Sequence, residues 1–236
     1  MHYDVIIVGA GPAGSSLAIH LARQGRRCAL LDGATFPRTK VCGEGIMPHG
    51  LAALRRLGVE PRGAPFGGLR YVLGDGTQAE GCFPNGLIGL GIERAWLDGE
   101  LVRRAAAELQ VDLRLGTWVR EVELPRDAGQ RVVVHLGEEV LTCEVLVGAD
   151  GGRSRIRRLA GLDAPTPARL RFGVGAHVCH APRFDPKVEV CLGEGFEVYT
   201  TPVSPTLTCL ALLTDRAGLA PFQGDLEGGL RRALGA

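Results

Sequence analysis

The chain has 236 residues, enough for one large domain or two small ones, and 45% hydrophobic with 22% charged residues marks an ordinary globule. The 27 basic and 26 acidic residues leave a net charge of +1, so nothing in the balance recommends nucleic acid or a membrane surface as partner. The seven cysteines are scattered, odd in number and without a Cys-x-x-Cys pair; several stand inside apolar strand patterns, where Cys acts as a small hydrophobe, and a reducing cytoplasm fits best.

Tyr3 to Val8 is a short continuous apolar run, as expected of a parallel strand buried on both faces. Gly9, Gly11 and Gly14 follow at once, with Pro12 and Ala13 among them. Leu17, Ala18, Leu21 and Ala22 then recur at helical spacing until Gln24-Gly25 stops the helix. Arg27 to Leu31 reads as a second strand ending in Asp32. This is a βαβ unit built to hold a dinucleotide. Gly9 permits the turn out of the strand, Gly11 lets a pyrophosphate approach the backbone, and Gly14 lets helix and sheet pack closely. The phosphates belong at the helix N-terminus, where free N–H groups and the positive end of the dipole face them. Asp32 lies 18 residues after Gly14, where an acid binds ribose hydroxyls and would repel a 2′-phosphate. FAD or NAD is therefore expected rather than NADP.

Residues 33–50 form a long connection without periodicity, rich in Gly, Pro and polar groups, of a length that is usually functional or disordered. A helix follows, with Pro48 in its first turn, Leu51, Leu54 and Leu57 on one face, and Gly58 as its stop. Gly68 to Phe83 alternates around Asp75-Gly76, a hairpin signal. Leu87 to Gly91 returns to strand, and Glu93 to Leu109 is expected to be helical with Leu97, Leu101, Val102, Ala105 and Leu109 on its apolar side. Val111 to Leu115 is a strand, and 118–124 with 131–136 form a hairpin over 127–129. Val140 to Gly148 leads into a glycine turn at Ala149-Asp150-Gly151-Gly152 and a helix start. From residue 169 four strands separated by Gly and Pro predict an antiparallel sheet, which the 68–83 hairpin is able to join, and 226–234 is expected to close as a helix.

The expected fold class is thus α/β, a Rossmann-like dinucleotide-binding domain over 1–67 and 84–168, with a mixed or antiparallel sheet domain over 68–83 and 169–236. No apolar run reaches the ~18 residues that span a bilayer, and no leader pattern opens the chain. His177 and His180 are three apart on a strand and so point to opposite faces; no metal-ligand set is read there or elsewhere. The arginines at 153, 155, 157 and 158 read as a solvated helix face, with no aromatic residues interleaved as single-strand recognition needs.

Four stretches together resemble the flavoprotein superfamily of para-hydroxybenzoate hydroxylase and the geranylgeranyl reductases: the N-terminal glycine motif, the loop Arg38-Thr39-Lys40-Val41-Cys42-Gly43-Glu44-Gly45, Glu93-Arg94 opening the third helix, and Gly148-Ala149-Asp150-Gly151 with Ser154 and Arg157. The loop is most similar to the geranylgeranyl-reductase branch. The resemblance implies FAD as cofactor, with NAD(P)H as electron donor. It implies Gly9, Gly11, Ala13 and Gly14 at the pyrophosphate, Asp32 at the adenosine ribose, Arg94 at the pyrophosphate or ribityl chain, and the Val119 backbone at the adenine edge. Asp150 is then expected near the pyrophosphate, and Cys42 and Glu44 beside the isoalloxazine or its substrate, the weak candidates for catalytic roles. Asp150 also suits a helix N-cap, and Arg94 a pairing with Glu93 or Asp98.

The activity so implied is reduction of an isoprenoid-like alkene or monooxygenation of a small apolar or aromatic molecule. The competing readings are an NAD-dependent dehydrogenase and a non-catalytic flavin-binding module. The family's second glycine motif, a Gly-Asp followed by a Pro- and Gly-rich loop, is not found; Gly74-Asp75 and Gly224-Asp225 lack its surroundings. The chain stops at Ala236, about where that segment would begin, so either a fragment or a short relative is expected.

Overall fold

The structure, a computed structural model, describes residues 1–125, 127, 129–163, 170–182, 187–222, 224–225 and 227–229. The elements run β1 (His2–Val8), α1 (Pro12–Arg23), β2 (Cys28–Asp32), β3 (Gly45–Ile46), α2 (Pro48–Arg56), β4 (Ala64–Phe66), β5 (Gly68–Leu73), β6 (Gln78–Cys82), β7 (Gly89–Gly91) and α3 (Arg94–Ala106). They continue β8 (Val111–Leu115), β9 (Glu121–Glu123), β10 (Val132–His135), β11 (Val140–Gly148), α4 (Arg155–Leu159), β12 (Phe172–Cys179), β13 (Lys187–Gly193), β14 (Phe196–Ser204), β15 (Leu207–Thr214) and α5 (Arg216–Leu219). The turn expected at 127–129 and the helix expected over 226–234 fall partly outside the described residues.

Two units divide the chain. The first holds Met1–Thr39, Ala53–Glu60 and Arg94–Pro165. Its sheet has the order β8-β2-β1-β11-β10-β9, parallel from β8 to β11 and antiparallel beyond. Val5 to Val8 of β1 are all buried, which is why that stretch has no polar face. Tyr3, Ile6 and Val8 join Leu31, Val119, Val132, Val134, Leu141 and Ile156 in one cluster. Helices α1 and α3 pack on each other, burying Ala18, Ile19, Ala22, Leu97, Leu101, Val102 and Ala105. Each fully buried Leu or Ile of this kind contributes about 1.5–3 kcal/mol of transfer free energy. Leu109 is a correction: α3 ends at Ala106, the chain turns through 107–110 into β8, and Leu109 stands 96% exposed. The apolar spacing ran on by one residue that the turn carries into solvent.

The second unit holds Lys40–Ala52, Pro61–Glu93 and Thr166–Ala236. Its larger sheet has the order β12-β15-β14-β13-β5-β6. The 68–83 hairpin joins it through a parallel pairing of β5 with β13, so the sheet is mixed. A small sheet of order β3-β7-β4, which no periodicity in 33–50 announced, packs on β14. The approach is close: a Cβ on Gly91 would lie 1.8 Å from the Pro202 carbonyl oxygen.

Candidate FAD site and a buried acid–histidine pair

The first unit builds its site at the C-terminal end of β1. Gly9 takes φ +107, and a Cβ there would lie 2.4 Å from the Ala149 carbonyl oxygen. Gly14 is tighter: a Cβ would lie 1.8 Å from the Gly9 carbonyl oxygen, so α1 starts directly against the strand end. Gly11 is the N-cap of α1, in extended conformation, and offers no side-chain cap. The first intrahelical bond runs from Ser15 N–H to the Gly11 carbonyl at 3.0 Å. The N–H groups of Ala13 and Gly14 precede it and so have no intrahelical acceptor at the positive end of the helix, which is the arrangement that receives an anion.

Asp32, at the end of β2, accepts hydrogen bonds from Ala10 N–H and Ala34 N–H, each at 2.8 Å. It thereby ties the glycine loop to the chain that leaves β2. Trp118 is half exposed and lies against Gly33, where a Cβ would meet its ring at 2.3 Å. Val119 is buried, its side chain in the sheet's core. Arg38 lies across this end of the unit. Its Nη2 is 3.8 Å from Asp32 Oδ2 and 3.9 Å from Asp98 Oδ2, and 3.4 Å from where a Cβ on Gly11 would stand. Its guanidinium rests 4.9 Å over the Phe36 ring. Among the described residues its Nε is buried without a hydrogen-bond partner.

Arg94 grips Asp98 with two hydrogen bonds, Nε to Oδ1 at 2.9 Å and Nη2 to Oδ2 at 2.8 Å, and the Asp98 side chain is fully buried. This is the Asp98 pairing that the sequence named as one alternative, and it engages two of the three guanidinium nitrogens. Asp150 accepts from Ser154 Oγ at 2.5 Å, Arg155 N–H at 2.6 Å and Ile156 N–H at 3.1 Å, while Ser154 Oγ accepts from Arg157 N–H at 2.9 Å. The two side chains together cap three N–H groups of α4. Burial opposes ionisation of Asp150, but the Ser154 hydroxyl and the Ile156 and Arg155 amides outweigh it and hold its pKa below the ordinary carboxylate value.

In the second unit, Glu44 precedes β3 and is buried, with φ 55. Its Oε2 lies 2.7 Å from His177 Nε2. His177 sits on β12 directly opposite Cys209 on β15. The Cys209 thiol donates to the Cys42 carbonyl at 3.4 Å, and the Cys42 sulfur accepts from Glu44 N–H at 3.5 Å. Burial first, then the Glu44 carboxylate, push the Cys209 thiol up to about 12. His180 turns to the other face, to Thr208 Oγ1 at 2.9 Å.

Sequence reasoning picked Cys42 and Glu44 but missed their partners, Cys209 and His177, because strand register is not written in either strand alone. It also passed over Arg38 and Trp118 as site residues.

Comparison with known proteins bears on the cofactor. The FAD binding domain family model matches residues 2–193. Menaquinone reductase of Mycolicibacterium smegmatis is 37% identical over 166 residues, 67% of this chain and 40% of that protein. Geranylgeranyl diphosphate reductase of Rhodobacter capsulatus is 35% identical over 164 residues, 66% of this chain and 39% of that protein. The 12-dehydrotetracycline 5-monooxygenase/anhydrotetracycline 6-monooxygenase of Streptomyces rimosus is 32% identical, over 74% of this chain and 36% of that protein. The chain thus spans about two fifths of the length of the curated relatives it matches. Among solved structures, PqsL of P. aeruginosa superposes with a TM-score of 0.82 at 24% identity, over 99% of this chain and 67% of that one, a likeness of fold. Among the described residues no helix is long and apolar enough to cross a membrane. The glycine cradle, the open N-terminus of α1 and the unpartnered Arg38 nitrogen all suit a dinucleotide diphosphate, and the chain belongs to the FAD binding domain family of flavin-dependent oxidoreductases and monooxygenases.

Proposed function

We propose that the protein is an FAD-dependent reductase acting on an alkene of a prenyl-type lipid. The observation that carries the FAD part is the buried Arg38 Nε without a partner beside the uncapped start of α1. The similarity to menaquinone reductase and geranylgeranyl diphosphate reductase supports the reductase part. Bound FAD supplies the hydride; the chain's own residues bind, orient and exclude water.

In this reading the Ala13 and Gly14 amides and Arg38 hold the diphosphate, and Asp32 holds the adenosine ribose. Trp118 and the Val119 backbone flank the adenine, the Trp by stacking. Asp150 keeps α4 and the 149–152 turn in place beside Gly9. Arg94 acts at one remove: it neutralises buried Asp98 and so sets the field in which Arg38 stands. Domain limits near 1–67 and 84–168 for cofactor binding, and 68–83 with 169–236 for the substrate, belong to the same proposal. So does an apolar substrate.

The test is direct. The purified protein is expected to be yellow and, with reduced flavin under anaerobic conditions, to saturate a double bond of a prenylquinone. Substrate-dependent oxygen consumption with a hydroxylated product would replace the reductase by a monooxygenase. Flavin held without turnover would leave a binding module, and a colourless protein that binds NADH would overturn the FAD assignment.

A further inference from the structure

We infer that Glu44, His177 and Cys209 form a binding site for a zinc-like divalent cation. One ligand atom from each residue, the Glu carboxylate oxygen, the His ring nitrogen and the Cys sulfur, lies within 4.8 Å of the other two. A tetrahedral zinc with bonds of about 2.0–2.3 Å holds its ligand atoms roughly 3.3–3.7 Å apart. Glu44 and His177 stand at 2.7 Å, inside that spacing, so a cation would part them by less than about 1 Å.

The placement is rigid where a metal site needs it to be. His177 and Cys209 are cross-strand partners at a directly paired position of β12 and β15, so both project from one face of the sheet. Glu44 is fixed from the opposite side. Its carbonyl accepts from Ile92 N–H at 2.8 Å, and its backbone holds a left-handed conformation that a non-glycine residue adopts at a cost. That conformation aims a buried carboxylate at a histidine and a buried cysteine.

The charges also fit. An ionised Glu, a thiolate and a neutral imidazole around a divalent cation make a neutral unit, the form a buried site tolerates best. Without a cation the Cys209 sulfur keeps its proton; cation binding displaces it and replaces the Glu44–His177 hydrogen bond by two coordination bonds. Glu44 and Cys209 are buried, while His177 has 34% of its side chain exposed, which leaves an entry route and a fourth position for water. The cation would clip the connection around residue 44 onto the face of the β12–β15 pair. The inference does not rest on the flavin assignment, because the cobalt spectrum is read as a difference between metal-loaded and metal-free protein, with or without FAD.

The experiment titrates the whole protein with Co2+ and follows the thiolate-to-cobalt charge-transfer band and the tetrahedral ligand-field bands, then displaces the cobalt with Zn2+. One equivalent is expected to give both features. Replacing Cys209 by Ser should abolish the charge-transfer band, and replacing His177 by Gln, whose amide is still able to donate to Glu44, should weaken Zn2+ binding by at least about 100-fold, more than loss of an outer partner typically does. A titration without tetrahedral bands, or one whose charge-transfer band and affinity survive in both Cys209→Ser and His177→Gln, would overturn the site.

Discussion

Two glycines in two helices of the first unit should respond to the same substitution with opposite signs. Gly14→Ala places a methyl 1.8 Å from the Gly9 carbonyl oxygen and 3.2 Å from Ile7 Cγ2. Carbon–oxygen contacts settle near 3.4 Å, so α1 must withdraw from β1 by more than 1 Å, roughly what overpacked cores relieve at a cost of about 1–3 kcal/mol. The intrinsic helix gain of Ala over Gly is about 1 kcal/mol and works in the other direction. The obstacle is backbone, which cannot rotate away as a side-chain tip would, so the cost reaches the upper end of that range, about 3 kcal/mol, and the net loss is about 2 kcal/mol. Gly99 lies inside α3 with nothing within 4 Å of its would-be Cβ. There only the helix term operates, and Gly99→Ala should gain about 0.5–1 kcal/mol. For a chain of this size each kcal/mol moves Tm by about 2–4 °C. Thermal unfolding by far-UV circular dichroism, without added FAD, should therefore show Gly14→Ala melting several degrees lower and Gly99→Ala a few degrees higher. A Gly14→Ala protein as stable as Gly99→Ala would refute the close seat of α1 on β1, and with it the position of the anion-binding amides.

Arg38→Ala should weaken FAD binding about 10–100-fold, the worth of one or two charge-assisted hydrogen bonds, in a flavin fluorescence titration, while the melting of the FAD-free protein stays nearly unchanged. Arg94→Met leaves the buried Asp98 carboxylate, among the described residues, with Arg38 at 3.9 Å, and urea unfolding should show a loss of about 3 kcal/mol, most of it recovered when Asp98→Leu is added. Asp150 has its pKa lowered on folding, so its ionised form adds stability above its unfolded pKa and loses it as pH falls through the folded one. The stability gap between the protein and Asp150→Asn should accordingly be full at neutral pH and close progressively below about pH 4. A gap that stays constant to pH 2 would remove the carboxylate from the α4 cap.

What the sequence revealed and what it hid divide along a physical line. Patterns local in the chain were legible: the apolar run of β1, the glycine loop, the α1 spacing, the Asp75-Gly76 turn between β5 and β6, and the paired Asp150 and Ser154 at the start of α4. Each depends on residues within a few positions of one another. That the 68–83 hairpin joins the second sheet was legible, but its partner β13 and the parallel direction were not, because the pairing joins residues more than a hundred apart and neither strand encodes its neighbour. Glu44 meets His177 for the same reason only in three dimensions: 133 positions separate them. His177 and His180 are neighbours in sequence, yet His180 lies just past the end of β12 and turns to Thr208, while the residue across the ladder from His177 is Cys209. Leu109 failed differently, since helical spacing says where an apolar face would lie but not where the helix stops.

The arginines carry the argument for the diphosphate further than the glycines do. Sequence position favoured Arg94, at the start of a helix, where two of its three guanidinium nitrogens bind Asp98 in a bidentate pair with one partner fully buried. Such a pair is costly to break and makes Arg94 a fixed part of the unit. Arg38 is the opposite case. It stands between two carboxylates at 3.8 and 3.9 Å, beyond hydrogen-bond range of either, with a buried Nε that makes no bond. A buried donor left unpaired costs about 1–3 kcal/mol, and a guanidinium more than a neutral group. A group bearing that cost next to the open amides of α1 gains it back when an anion arrives, so the unit is arranged to bind a phosphate ester more strongly than its helix terminus alone would. On this reasoning Arg38 sets the affinity and Arg94 the shape. Arg38→Lys should keep part of the attraction but lose the fork, and so bind FAD more weakly than the native protein while showing the same melting temperature without it.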